Sequence, residues 1–209
     1  MELEKYIRHI PGFPKEGILF HDIMPMLQEP EALHYAVDRL AEFARERKAD
    51  LVLGAEARGF ILGAALAYAL GVGFAAARKP GKLPWTVSRC EYELEYGTDA
   101  LEIHTDAIKP GQRVLIHDDL LATGGTAKAK VQLVEQAGGV VAGLAFLIEL
   151  TGLRGRDKLA GYEVFSLIQY EVCGCSEKRP PGHHPAAALA LLYIMYIIVR
   201  KPISPGSSS

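Results

Sequence analysis

Apolar positions alternate between helical and strand spacing through most of the chain. Residues 31–47 (EALHYAVDRLAEFARER) follow Pro30 and bring Leu33, Ala36, Val37, Leu40, Phe43 and Ala44 onto one stripe, the pattern of an amphipathic helix. The short run LVLG at 51–54 predicts a buried strand. Residues 59–70 are apolar on most faces and stop at Gly71, which predicts a buried helix closed by glycine. A second strand is predicted at 73–78 and a third at 114–116, closing at Asp118 and Asp119. A helix over 126–137 ends at Gly138 and Gly139, and a further strand covers 140–147. Strands alternating with helices predict an α/β fold, a mainly parallel sheet with helices on both faces. Ligands in such a sheet bind beyond the carboxyl ends of the strands, so the residues there are the first candidates for chemistry.

Two stretches break the alternation. Residues 85–104 interleave polar and aromatic side chains, and a connection that long in a compact domain is commonly a lid. The plainer alternative is a β-hairpin with a solvated glutamate. The second stretch is 172–209, with five of the twelve prolines, two of the three cysteines, and four basic residues against the single acid Glu177. We read 1–171 as the folded domain and 172–209 as an appendage. Its fourteen apolar residues, 186–199, would span about 21 Å as a helix, short of the roughly 30 Å hydrocarbon core. They suit an interfacial or packing helix better than a transmembrane span. Cys173, Cys175, His183 and His184 lack the paired spacing of a zinc site.

Composition narrows the class. With 49% hydrophobic and 23% charged residues in 209, the chain can bury a real core. A net charge of −2 offers no basic excess for nucleic acid. Three cysteines exclude a disulfide framework and point to a reducing compartment, and the charged N-terminus is no secretory signal, so a cytoplasmic location is expected.

The chemistry concentrates in VLIHDDLLATGGTAK, residues 114–128. A strand delivers two carboxylates, and a turn then presents Thr-Gly-Gly-Thr to the start of a helix. Gly124 and Gly125 let backbone amides approach an anion, the helix terminus adds its dipole, and Thr123 and Thr126 add hydroxyls. That is a monophosphate cradle. Asp118 and Asp119 repel a phosphate and suit sugar hydroxyls, a Mg²⁺ shell or a developing positive charge. Neither a Walker loop nor a dinucleotide fingerprint is present.

This block resembles the phosphoribosyl-pyrophosphate motif of the type I phosphoribosyltransferases, in particular those acting on adenine. Five more ordered blocks extend the likeness: FPKEGILFHDI (13–23), GAEARGF (54–60), RKPGKLP (78–84), YELEYGTDALEIH (92–104) and FSLIQYE (165–171). The resemblance implies the type I fold with a small N-terminal hood and a lid loop. It also implies the conversion of adenine and phosphoribosyl pyrophosphate to AMP and pyrophosphate in purine salvage, with Mg²⁺ carried on the pyrophosphate and no direct protein ligand. A homodimer is expected, with no nucleic-acid partner.

The resemblance also implies roles. Ala122, Thr123, Gly124, Gly125 and Thr126 would bind the phosphate of phosphoribosyl pyrophosphate, and Asp118 and Asp119 would act beside the reacting sugar. Arg58, Arg78, Lys79 and Lys82 would reach the pyrophosphate, some family members supplying this loop from a neighbouring subunit. Leu19 would read adenine through its main chain, Phe20 would stack on it, and Asp22 would buttress the loop. Glu95 is the candidate acid/base and Tyr96 the lid residue that shields the site. Two positions depart from the family pattern: His21 stands where Arg or Lys is usual, and His117 where an aliphatic residue is usual. Rival readings are a transferase for another purine, and a non-catalytic regulator with the same fold.

Overall fold

A computed structural model describes residues 1–14, 16–93 and 98–171. The chain starts with a 3₁₀ turn (Leu3–Tyr6) and an antiparallel hairpin of β1 (Arg8–Pro11) and β2 (Leu19–Asp22), followed by the short helix α1 (Met24–Gln28). Helix α2 (Pro30–Glu46) begins one residue before the expected start, at the proline itself, because proline at the first helical position sacrifices no hydrogen bond. Then come β3 (Leu51–Ala55), α3 (Arg58–Leu70), β4 (Gly73–Ala77), β5 (Val87–Glu93), β6 (Thr98–His104) and β7 (Arg113–Leu121). Helix α4 (Gly125–Gln136), β8 (Val140–Leu150) and β9 (Val164–Tyr170) complete the domain.

Five strands form one parallel sheet in the order β4-β3-β7-β8-β9. Neighbouring positions on a strand face opposite sides. Val52, Leu115 and Ala145 pack with Leu40, Phe43 and Ala44 of α2 and Leu66 and Ala67 of α3. Leu53, Ile116 and Phe146 pack on the other side, with Val131 and Val134 of α4 and Leu101 and Ile103 of β6. Both faces are therefore covered, the expected layering. From β3 the chain goes outward to β4, then returns past β3 to β7. The direction of winding thus reverses between β3 and β7, where a sheet of this kind opens a crevice at its carboxyl edge.

Local details differ from the sequence-based expectation. Strand β7 does not close at Asp118 and Asp119 but runs on to Leu121, because Leu120 and Leu121 continue the ladder with Ile148 and Glu149 of β8. Strand β8 likewise extends to Leu150. The 85–104 excursion is a hairpin, β5 with β6, packed over α4. Its tip lies outside the described residues, and so do Glu95 and Tyr96, as does the stretch 172–209. Strand β9 and the β1–β2 hairpin carry too little alternation to be found by periodicity; β9 is mostly half-buried along its length.

Candidate active site

The Thr-Gly-Gly-Thr turn, the candidate phosphate cradle, sits where β7 gives way to α4. Gly124 caps the helix in the left-handed region (φ 79°), and Lys128 N–H donates to its carbonyl at 2.9 Å to start the first turn. The Ala122–Gly124 backbone is pressed against a second glycine. A Cβ on Gly124 would lie 2.4 Å from the Gly155 carbonyl oxygen, and one on Gly155 would lie 2.3 Å from that of Ala122. The segment carrying Gly155 is tied down by Arg156, whose Nε and Nη2 donate to the two oxygens of buried Glu149 at 2.7 Å each. Burial by itself raises the Glu149 carboxyl; the Arg156 fork and the Ser166 hydroxyl overcome it and hold the group below its usual range. Glu149 stands beside Leu121 in the sheet. The floor of the cradle is thus braced from the β8 side.

The two carboxylates before the cradle take different cations. Asp118 accepts from Lys130 Nζ at 2.8 Å, and this fully buried ammonium also donates to the His117 carbonyl at 3.1 Å. Asp119 pairs with Arg58 Nε at 2.7 Å. Burial pushes the Asp119 carboxyl up to about 6; Arg58 opposes this and neighbouring Asp118 adds to it. Gly59 permits the approach of α3, since a Cβ there would stand 2.7 Å from Asp118 Oδ1. His117 is fully enclosed and its Nδ1 lies 2.9 Å from the Ala145 carbonyl, so Nδ1–H donates. Burial pulls its pKa down to about 4, against the raising effect of Asp118, which makes it a neutral ring behind the acidic pair.

Two cations after β4 gather on one residue the sequence reading did not single out. Glu56, buried just beyond β3, accepts from Arg78 at 3.0 Å, from Lys82 Nζ at 2.9 Å and from the Lys79 amide at 2.8 Å. Burial raises its carboxyl, but these donors together hold it below the usual range. The Glu56–Ala57 peptide is cis. Lys79 takes another direction: its ammonium is buried under the β5–β6 hairpin with Asp99 and the Tyr92 hydroxyl. Arg58, Arg78 and Lys82 therefore stand at the strand ends, whereas the Lys79 side chain is turned away.

Between the β1–β2 hairpin and the sheet edge lies a shallow cleft open to solvent. Leu19, Phe20 and His21 line it with Arg58, Asp119, Leu120, Ile148 and Leu150. Phe20 meets Phe13 edge-on at 5.2 Å between centroids, and the Arg58 guanidinium lies 5.2 Å from the Phe20 ring. Asp22 is outside the cleft; its Oδ1 accepts the Met24 N–H at 3.0 Å and secures the joint between hairpin and α1. The structure thus brings Leu19, Phe20, Arg58 and Asp119 together around one cleft, with Asp118 and the 122–126 turn on the adjoining β7–α4 connection.

Four residues of this arrangement escaped the sequence reading: Glu56, Lys130, Glu149 and Gly155. Glu56 lay within a quoted block, and Lys130 showed as a cation inside the apolar stripe of α4. Nothing local marked Glu149 or Gly155.

Comparison with known proteins agrees with this geometry. The phosphoribosyl transferase domain family matches residues 26–178. An adenine phosphoribosyltransferase of Clostridium perfringens is 63% identical over 172 residues, covering 82% of this chain and all of the relative. One from Alkaliphilus oremlandii is 58% identical over 171 residues, covering 82% of this chain and 99% of the relative. Among solved structures, the adenine phosphoribosyltransferase of Thermoanaerobacter pseudethanolicus superposes with a TM-score of 0.79 at 57% identity, over 81% of this chain and 98% of that one. The Saccharomyces cerevisiae enzyme, solved with adenine and an imino-altritol bisphosphate, gives 0.75 at 44% identity, over 79% of this chain and 96% of that one. With these relatives spanned almost end to end, the chain belongs to the adenine phosphoribosyltransferases of the type I phosphoribosyltransferase family.

Proposed function

We propose that this chain transfers the phosphoribosyl group of phosphoribosyl pyrophosphate to adenine, a purine-salvage reaction that yields AMP and pyrophosphate. A bond forms between a ring nitrogen of adenine and the anomeric carbon, the bond from that carbon to pyrophosphate breaks, and the nitrogen gives up its proton. The observation that carries the reading is the Arg58–Asp119 pair. It lies in the wall of the cleft that holds Phe20, and the phosphate turn follows on the same strand as Asp119. Base, sugar and phosphate would therefore be laid end to end across the switch point.

In this scheme Ala122, Thr123, Gly124, Gly125 and Thr126 hold the 5-phosphate on amides, hydroxyls and the α4 terminus. Asp118 and Asp119, fixed by Lys130 and Arg58, hold the ribose and favour positive charge developing at its anomeric carbon. Arg58, Arg78 and Lys82 receive the pyrophosphate, Glu56 keeping the latter two in place until it arrives, and Lys79 joins them if the hairpin shifts. Phe20 stacks on adenine, the Leu19 main chain reads its edge, and Asp22 steadies the hairpin. Glu95 moves the proton and Tyr96 excludes water.

Asp118 and Asp119 are engaged by cations, and among the described residues no three metal-ligating side chains converge. Mg²⁺ would arrive with the pyrophosphate, where its charge would offset that of the leaving group. Helix α3 leaves Ile61, Ala64 and Tyr68 exposed on one side, which supports a homodimer. Among the described residues no helix is long and apolar enough to cross a membrane. We place the enzyme in the cytoplasm, with 1–171 as its catalytic unit and 172–209 as an appendage.

The test offers adenine, guanine, hypoxanthine and xanthine with phosphoribosyl pyrophosphate and Mg²⁺ to the full chain and to a 1–171 truncation. AMP from adenine alone, in both, is the expected result. Preference for another base overturns the substrate, and binding of phosphoribosyl pyrophosphate without turnover overturns the enzyme.

A further inference from the structure

His9 and His21 stand directly opposite each other in the β1–β2 ladder, so both imidazoles leave the hairpin on one face. Their Nδ1 atoms are 3.1 Å apart, with the ring planes at 87°. Tyr170, at the end of β9, fixes the pair from behind. It stacks on His21 at 4.4 Å between centroids and meets His9 edge-on at 5.4 Å. The arrangement lies at the rim of the base cleft, since His21 also lines it.

Neutral imidazole nitrogens bind Zn²⁺ and similar ions at about 2.0–2.1 Å. At that distance, two nitrogens 3.1 Å apart subtend roughly 100° at the metal, between octahedral and tetrahedral angles. Burial, aided by His9, pulls the pKa of His21 down to about 4, so the ring is uncharged at neutral pH and its nitrogens stay available. Without an ion, one Nδ1 must carry the proton that it donates to the other. A bound ion takes the place of that proton, which passes to Nε2 of the same ring through solvent.

We propose that His9 and His21 form a two-histidine chelate for a divalent transition-metal ion of the Zn²⁺ type, with water in the remaining coordination positions. No third protein donor joins them among the described residues, so the site is open and weaker than a closed structural zinc centre. Bound metal staples β1 to β2 and so stiffens the hairpin that carries Leu19 and Phe20. This ion is distinct from the Mg²⁺ that travels on pyrophosphate oxygens, and the inference stands whatever base the enzyme uses.

The experiment titrates the full chain with ZnCl₂ by calorimetry and follows thermal unfolding with and without the metal. Four proteins are compared: the natural sequence, a tail variant with Cys173→Ser, Cys175→Ser, His183→Gln and His184→Gln, and His9→Gln and His21→Gln each made in that tail variant. His9 is exposed, so His9→Gln folds normally, as an unchanged metal-free melting temperature would confirm. The expected result is an ion bound by the tail variant with a rise in melting temperature. Each hairpin variant loses at least tenfold in that affinity and loses the rise, while MgCl₂ produces neither effect. Electron paramagnetic resonance of Cu²⁺ on the tail variant should show two coupled imidazole nitrogens. Retained binding in His9→Gln, or absence of binding in the tail variant, overturns the proposal.

Discussion

Gly155 and Gly124 meet backbone to backbone, so close that a methyl group on Gly124 would stand 2.4 Å from the Gly155 carbonyl oxygen. The Thr-Gly-Gly-Thr turn is therefore positioned by a neighbour thirty-one residues further along the chain, and that neighbour is held by Arg156 on Glu149. Gly155→Ala places its methyl against the Ala122 carbonyl, which must move. Overpacking of this kind costs about 1–3 kcal/mol. The expected kinetic result is a KM for phosphoribosyl pyrophosphate raised at least tenfold, with a smaller change in KM for adenine. Equal KM values in variant and parent would remove Gly155 from the account.

Lys130 is a fully buried cation whose charge is answered by Asp118. Removing one partner of a buried pair leaves the other uncompensated, whereas replacing both by neutral groups is often tolerated. Lys130→Met should destabilise the protein by about 3 kcal/mol, toward the low end for such pairs because Asp118 keeps some exposure. The double variant with Asp118→Asn should recover part of that loss in urea unfolding. Additive losses would show that the pair is not coupled.

His117 makes stability depend on pH. Its folded pKa, about 4, lies below the ordinary value of 6.5. Between those values the unfolded chain binds a proton that the folded chain does not. Its contribution is therefore fully present above pH 6.5, declines as pH falls to 4, and changes no further below that. The full span is about 3 kcal/mol. His117→Leu, which restores an aliphatic residue, should flatten this region. The difference between the two unfolding curves over pH 4–7 checks it, because Glu56 and Glu149, both with lowered pKa values, contribute equally to each. Parallel curves would mean that His117 is not the titrating group.

Tyr68 is 91% exposed on α3, on the same side as the exposed Ile61 and Ala64. A helix apolar on all sides is ordinarily covered on all sides. Tyr68→Glu puts a charge into the proposed dimer contact and should give monomers by analytical ultracentrifugation at micromolar concentration. An unchanged sedimentation coefficient would move the interface elsewhere.

The order of strands and helices, and the glycine turn that opens α4, were legible in the chain because hydrophobic period and glycine placement are local properties. The carboxyl-edge location of the site followed from that alternation, and the family likeness of the blocks supplied expected roles for Arg58, Asp118, Asp119 and Phe20. Periodicity could not show that β7 runs on through its two aspartates. The strand continues only because β8 is there to pair with and because Lys130 and Arg58 compensate the carboxylates. Nor could it show that Arg78 and Lys82 converge on Glu56, that Lys79 turns under the hairpin, or that His9 and His21 face each other 3.1 Å apart. Spacing along a chain determines which side of an element is buried. Which charge answers which, across twelve to twenty-six residues or more, depends on strand order and register, and those exist only once the sheet has formed.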